Sequence, residues 1–362
     1  MTKRVYNFSA GPATLPLDVL KKAKEEFLNY DNTGMSIVEA SHRGKAYDVV
    51  HKDASKLVRE LLKLPDNYHV LYLQGGASLQ FAMVPMNLLG EGKSADYVIT
   101  GDWSKKAYKE AKLFGDVKIV ASSEEEKFSR IPKQEELKLN SNAKYVHITS
   151  NNTIFGTQFD KFPSAGSVPI VADMSSDMMW RFFDVKPFGL IYAGAQKNLG
   201  PAGVTLVIIR DDLLKSCNPA LTTMLKYSTH AEKDSLFNTP PCFSIYILRY
   251  VMQWIKDMGG LDVMEKHNRE KAGMIYSTIE ESDGFYKSTV SKDSRSMMNI
   301  TYRLPSEDLE KSFIEEAAKE ELVGLKGHRS VGGIRASVYN AMPKEGCEKL
   351  SEFMRKFAKK HS

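Results

Sequence analysis

Cysteine is scarce in this chain of 362 residues. Cys217, Cys242 and Cys347 form an odd, widely separated set. Neither a disulfide framework nor a metal site is expected from them, and reduced thiols in a cytoplasmic protein are the natural expectation. Long hydrophobic runs are missing as well. No stretch of about 18 apolar residues occurs, so no membrane span is expected, and no apolar core of signal length follows Met1–Asn7. Neither sign of charge dominates: 50 Lys and Arg stand against 45 Asp and Glu, interspersed, for a net charge of +5. Such a balance does not argue for nucleic acid, and it suits a basic site for an anionic small molecule. Lys105-Lys106 does not grow into a patch, and Lys359-Lys360 fits a solvated helix end. Internal repeats and low-complexity linkers are lacking too. What the chain does have is 42% hydrophobic residues, enough for a large core, and a length that suggests roughly two domains.

The most informative stretch is Ala193-Gly194-Ala195-Gln196-Lys197-Asn198-Leu199-Gly200-Pro201-Ala202-Gly203. One lysine stands among small residues, between the apolar runs Gly189-Leu190-Ile191-Tyr192 and Val204-Thr205-Leu206-Val207-Ile208-Ile209. The pattern predicts strand, tight connection, strand. A lysine at the end of a buried strand is costly unless its charge is used or removed. One use is a Schiff base with an aldehyde cofactor or a carbonyl substrate; an edge lysine on a hairpin is the plain alternative. A second strand, Val168-Pro169-Ile170-Val171-Ala172-Asp173, ends in an aspartate and moves the balance. An acidic residue after one strand and a lysine after a later one is the arrangement pyridoxal 5'-phosphate needs. The aspartate keeps the pyridine nitrogen protonated, so that the ring acts as an electron sink, and the lysine holds the aldehyde and shuttles a proton.

Strands and helices alternate from about residue 17 to residue 209. Strands are expected at 68–73, 95–100, 117–120 and 144–149, with helices at 79–88 and, following Gly101-Asp102-Trp103-Ser104, through 114. That succession implies βαβ units and a mainly parallel sheet, whose ligands bind at the carboxyl ends of the strands. A long helical region, 244–282, is interrupted by few breakers apart from Gly259-Gly260. Beyond it, strands at 297–302 and 333–338 and helices at 306–321 and 344–359 describe a smaller α+β domain. Ser306-Glu307-Asp308-Leu309-Glu310 resembles a capping box but is out of register.

Other segments gain meaning from the lysine and the aspartate. Gly75-Gly76-Ala77-Ser78 ends a strand and opens a helix, where backbone N–H groups bind phosphate; a simple turn is the alternative. Trp103 could stack on a flat ring or fill the core. Thr153 could donate to a ring hydroxyl or cap a turn. His328, Arg329 and Arg335 near the C-terminus, and His42-Arg43 near the N-terminus, suit a substrate with two anionic ends, or else surface salt bridges.

Taken in order, Asn7-Phe8-Ser9-Ala10-Gly11-Pro12-Ala13, Ser41-His42-Arg43-Gly44, Gln74-Gly75-Gly76-Ala77-Ser78, Gly101-Asp102-Trp103-Ser104, Ala172-Asp173-Met174-Ser175-Ser176, Ala193 through Asn198, Asn238-Thr239-Pro240-Pro241 and Gly327-His328-Arg329 through Arg335-Ala336-Ser337 resemble the phosphoserine aminotransferases. The resemblance runs from the N-terminus to the last strand. It implies an α/β fold-type I pyridoxal-phosphate transferase, with a large domain on a mainly parallel seven-stranded sheet (16–264) and a smaller α+β domain (1–15 and 265–362). It implies a homodimer with shared active sites and amino transfer between glutamate and 3-phosphohydroxypyruvate in serine biosynthesis. By similarity, Lys197 forms the Schiff base, Asp173 pairs with the pyridine nitrogen and Trp103 stacks on the ring. Ala77, Ser78, Ser175 and Gln196 surround the cofactor phosphate, Thr153 lies near the ring hydroxyl, and Asn238 and Thr239 reach the partner subunit's cofactor. Ser9, His42, Arg43, His328 and Arg329 belong to the substrate site, and Arg335 clamps the α-carboxylate. Where some members carry an arginine after the glycine pair, this chain has Ala77-Ser78, so its phosphate cup depends on backbone N–H groups and Ser78.

Three other readings compete. An alanine–glyoxylate-type aminotransferase shares the lysine and the aspartate but does not need two anion sites. A cofactor-free Schiff-base aldolase has no use for Asp173, and a non-catalytic binding protein has no use for Lys197.

Overall fold

Strands that are apolar on both faces need cover on both faces, and several runs of this chain have that character. In the computed structural model, which describes residues 4–362, a seven-stranded sheet has the order Tyr68–Leu73, Thr205–Arg210, Phe188–Gly194, Ile170–Asp173, Val146–Thr149, Ser94–Ile99, Asp116–Ser122. Thr205–Arg210 runs antiparallel to both neighbours, and the other pairings are parallel. Successive residues serve opposite faces. Val146, Ile148, Ile170, Ala172, Leu206 and Ile208 join one core. Tyr145, Val171, Val207 and Ile209 join another. Helices Lys45–Leu62 and Cys242–Asp257 cover the first side through residues such as Val50, Val58, Leu248 and Val251. Helices Gly76–Leu88 and Asp102–Ala111 cover the second through Phe81, Val84 and Ala107.

A separate core gathers Phe8, Ala272, Ile275, Ile300, Phe313, Ile334, Leu350 and Phe357. Its antiparallel sheet has the order Lys287–Ser288, Asn299–Arg303, Ile334–Ser337, backed by helices Glu307–Lys319 and Lys344–His361. Tyr6–Asn7 pairs in parallel with Leu322–Val323, so the beginning of the chain is tied to this unit.

The helical region expected at 244–282 is two helices, Cys242–Asp257 and Leu261–Glu280. The break falls at Gly259 (φ 106°) and Gly260 (φ 80°), a left-handed conformation that glycine adopts without steric cost. The second helix contributes Leu261 and Met264 to the first core and Ala272, Ile275 and Ile279 to the separate one. The imperfect capping box has a structural outcome. Ser306 Oγ accepts from Leu309 N at 3.2 Å, while Glu310 turns away to accept from Arg303 Nε at 2.6 Å and Gly333 N at 3.1 Å. A short antiparallel hairpin, Asn151–Asn152 with Thr157–Gln158, was not expected; all four residues are buried. Among the described residues no helix is long and apolar enough to cross a membrane.

Candidate active site

Open α/β sheets leave a crevice at the carboxyl ends of their strands. Here Thr149, Asp173, Gln196 and Lys197, from the ends of three neighbouring strands, line one cavity of about 330 Å³ together with Gly76, Ala77, Ser78, Trp103, Thr153, Ser175, His328 and Arg335. The lysine connection is closed by backbone bonds: Ala195 N donates to Val204 O at 3.0 Å, and Gly200 N donates to Ala195 O at 2.8 Å. Gln196 folds back over Gly194, where a Cβ atom would lie 2.7 Å from its Oε1. Ala13 N donates to Gln196 O at 2.8 Å, which lays the N-terminal segment along the lysine.

Ser175 joins the aspartate strand to the lysine strand. Its N–H donates to Asp173 Oδ1 at 2.9 Å, and its hydroxyl accepts from Gly194 N at 3.0 Å. On the opposite side, Ser104 Oγ accepts from Thr100 N and Gly101 N at 3.0 and 3.1 Å and fixes the start of the helix that carries Trp103. Trp103 Nε1 donates to Thr153 Oγ1 at 3.2 Å, and Arg335 Nη1 donates to Thr153 O at 2.9 Å. Lys197 Nζ lies 5.9 Å from the centre of the Trp103 ring. Gly75 (φ 87°) makes the turn into the Gly76–Leu88 helix; a Cβ there would come within 2.6 Å of Leu79. The first-turn N–H groups of that helix have no intrahelical acceptor and face the cavity edge formed by Ala77 and Ser78.

Burial shapes the electrostatics. It holds the Lys197 ammonium below the usual lysine range; Asp173 and Asp177 oppose that effect and Arg335 adds to it. Burial raises the Asp173 carboxyl above its ordinary value, opposed by Ser175 and by Lys197. The Arg335 guanidinium is lowered by burial, and His328 is lowered by burial and then by Arg335. An amine that sheds its proton easily, beside a carboxyl and a flat indole, is suited to hold an aldehyde and to move protons.

The remaining expected residues lie outside this lining. Arg329 is exposed beside His328. Ser9 is packed against Gly324, and its N–H donates to Asn7 Oδ1 at 3.0 Å. His42 and Arg43 sit in the turn before the Lys45–Leu62 helix, where Gly44 N donates to Ser41 O at 2.8 Å. Thr239 is exposed, with its carbonyl 3.5 Å from Gln74 Nε2, and Asn238 is half-buried beside it. Sequence reasoning gave no role to Thr149, Asn151, Ile154, Ser176 and Gly11, which also line the cavity. Thr149 and Ser176 had a usable signal, because each is a polar residue that closes or follows an apolar strand.

The donor set fits a flat, anionic aldehyde. Thr149 Oγ1 and Arg335 Nε are buried and unpartnered in the cavity wall. Such polar atoms cost free energy unless a bound group satisfies them.

Comparisons agree with this geometry. The Aminotransferase class-V family profile matches residues 5–350. The phosphoserine aminotransferase of Niallia circulans is 56% identical over 357 residues, 99% of each chain. The solved phosphoserine aminotransferase from Bacillus circulans subsp. alkalophilus superposes with a TM-score of 0.98 at 55% identity over 99% of each chain. A PLP-bound phosphoserine aminotransferase from Trichomonas vaginalis superposes with a TM-score of 0.92 at 38% identity, over 97% of this chain and 100% of that one. Fold, cavity and sequence thus place the chain in the class-V aminotransferase family, alongside the phosphoserine aminotransferases.

Proposed function

We propose that this chain transfers an amino group reversibly between glutamate and 3-phosphohydroxypyruvate, giving 2-oxoglutarate and O-phospho-L-serine for serine biosynthesis. The observation that carries the reading is the convergence of Lys197 and Asp173 on one cavity with Trp103 and Arg335, in a chain 56% identical to a phosphoserine aminotransferase.

Bound in this cavity, pyridoxal 5'-phosphate supplies an aldehyde to carry the amino group and a ring that accepts electrons. Lys197 Nζ would hold the aldehyde of that group and would serve to give and take a proton; its lowered proton affinity suits both tasks. Asp173 keeps a proton on the ring nitrogen. Trp103 would offer its flat face to the ring, fixed in plane by Thr153, and Thr153 would serve the ring hydroxyl. The N–H groups of Ala77 and Ser78 at the helix start hold the phosphate, with Ser175 and Gln196 around it. Arg335 takes the α-carboxylate common to every substrate.

The second anion site is assembled between subunits in this reading. His42 and Arg43 of one subunit join His328 and Arg329 of the other, with Ser9 nearby, and Asn238 and Thr239 reach the neighbouring cofactor. Phe27, Leu28, Met35, Val38 and Phe237 are exposed apolar side chains close in sequence to those residues, which supports a homodimer that covers them. In this reading the two domains are bounded at 16–264 and at 1–15 with 265–362, of which residues 1–3 lie outside the described residues, and a cytoplasmic location suits the unpaired cysteines.

The test is direct. Purified protein is yellow with bound cofactor, borohydride fixes the cofactor to Lys197, and glutamate with 3-phosphohydroxypyruvate yields O-phosphoserine. Absence of label on Lys197, or equal use of unphosphorylated keto acids, overturns the reading.

A further inference from the structure

Behind Asp173 lies a second carboxyl that the chemistry above does not use. Asp177 is 4% exposed, and its hydrogen-bond partners are neutral. Ser150 Oγ contacts Oδ1, and Gln158 Nε2 donates to Oδ2 at 3.0 Å. Gln158 is held from its other end by Met297 N, which donates to Oε1 at 2.8 Å, so the amide presents its N–H side to Asp177.

Ser150 also serves Asp173. Its N and its Oγ each lie 3.0 Å from the Asp173 carbonyl oxygen. A hydroxyl has one proton for these two acceptors. With Asp177 ionised, that proton goes to Asp177 Oδ1, and the Asp173 carbonyl keeps the Ser150 N–H alone. With Asp177 protonated, its own O–H donates to Ser150 Oγ, and the Ser150 proton turns to the Asp173 carbonyl. No heavy atom need move between the two states, and every donor is used in both.

We propose that Asp177 is a positioning residue of the transamination: ionised, it takes the Ser150 proton and stands as a second negative charge behind Asp173, strengthening the hold of Asp173 on the proton of the group it faces. The proposal rests on the cofactor reading above. The charged or titratable groups around Asp177 are Asp173 and Arg181 on its own segment, Lys197 from the neighbouring strand end and Tyr339 from the smaller unit. Burial, with a contribution from Asp173, pushes its carboxyl up to about 6 against the effects of Ser150, Gln158 and Arg181. It is therefore an anion at neutral pH and loses that charge in mild acid.

Asp177→Asn keeps the shape and the hydrogen bonds, since its amide donates to Ser150 Oγ and accepts from Gln158, but it is locked uncharged. Two readouts decide. The dissociation constant for pyridoxal 5'-phosphate, from absorbance titration of the apoprotein near pH 8, rises about tenfold in the variant, one pKa unit of differential interaction. In the holoenzyme, wild-type kcat declines in acid with a midpoint at about 6. The variant sits at the low plateau from about pH 5 to 8 with KM for glutamate within about twofold of wild type. Wild-type cofactor affinity together with a wild-type acid limb overturns the proposal. Should the variant not fold, infrared difference spectra of the wild-type apoprotein carry the test. A protonated-carboxyl band that grows in mild acid and shifts in Ser150→Ala supports it, and a band unmoved by Ser150→Ala overturns it. Borohydride labelling of Lys197 reports on the cofactor reading separately, so failure of one is distinguishable from failure of the other.

Discussion

Trp103 and Thr153 meet through a single hydrogen bond, 3.2 Å from the indole nitrogen to the hydroxyl, and the carbonyl of the same threonine receives Arg335 at 2.9 Å. One residue thus orients the indole of Trp103 with its side chain and the guanidinium of Arg335 with its backbone. Thr153→Val removes the first bond and spares the second. Its cofactor dissociation constant is expected to rise about tenfold, near the net worth of one hydrogen bond, while KM for glutamate stays within about twofold. Absorbance titration of apoprotein and steady-state kinetics read the two effects.

Lys197→Ala is expected to abolish steady-state transamination, because both attachment of the aldehyde and the proton shift use the same amine. The variant stays folded and can still hold the cofactor without a covalent bond. Circular dichroism and an O-phosphoserine assay check this, and near-normal turnover would remove Lys197 from the mechanism.

A site shared between subunits predicts complementation. A Lys197→Ala chain, inactive alone, and an Arg43→Ala chain, strongly impaired on 3-phosphohydroxypyruvate alone, should recover activity on that substrate when subunits exchange, because one site of the heterodimer receives only intact residues. Mass spectrometry establishes exchange, and no recovery in exchanged samples contradicts the shared site.

Substrate choice separates the arginines. Phosphate is largely dianionic near neutral pH, and each charge-assisted hydrogen bond to it is worth roughly 1.5–3 kcal/mol. Arg43→Ala and Arg329→Ala should lose 3-phosphohydroxypyruvate selectively, by about a hundredfold or more in kcat/KM relative to hydroxypyruvate. Arg335→Ala should weaken both keto acids together, since each carries the α-carboxylate. Equal losses in all three variants would favour a broader aminotransferase.

A buried lysine away from the cavity gives a stability prediction. Lys271 Nζ donates to the carbonyls of Tyr339, Asn340 and Met342 at 2.8, 3.2 and 3.0 Å, and burial pushes its ammonium down to about 8. Unfolded, it titrates near about 10.4. Between those values the unfolded chain binds more protons, so stability rises with pH. Lys271→Met should be destabilised by about 2 kcal/mol at pH 7, where unpaired carbonyls dominate. The wild-type advantage should then widen by roughly 3 kcal/mol from pH 8 to 10.5. Urea unfolding at several pH values tests both the sign and the window.

Much of this was legible in the chain. Apolar runs marked the strands because both faces of the sheet are buried, and Asp173 and Lys197 stood out because charge at the end of such a run demands a use. The glycine pair at 259–260 was visible as a break, yet not that it makes two helices. Other features had no local signature. The hairpin Asn151–Asn152 with Thr157–Gln158 is polar in sequence but wholly buried. It is stabilised by distant partners such as Ser296, whose hydroxyl meets Asn151 Oδ1 at 2.5 Å. Asp177 carried no local signal and was given no role, and only tertiary packing sets it behind Asp173. Asn238 and Thr239 stood out only by resemblance, and His42 and Arg43 only as a His-Arg pair that would serve equally in surface salt bridges, because nothing within one chain brings any of the four to the cavity lining.

The pairing of Tyr6–Asn7 with Leu322–Val323 has a consequence for synthesis on the ribosome. Residues 10–13 form the wall beside Lys197, but the strand that anchors them is translated more than three hundred residues later. That wall is therefore tied at two places far apart in the chain: Ala13 N holds it to Gln196 O, and the Tyr6–Asn7 strand finds its partner only once most of the chain has been made.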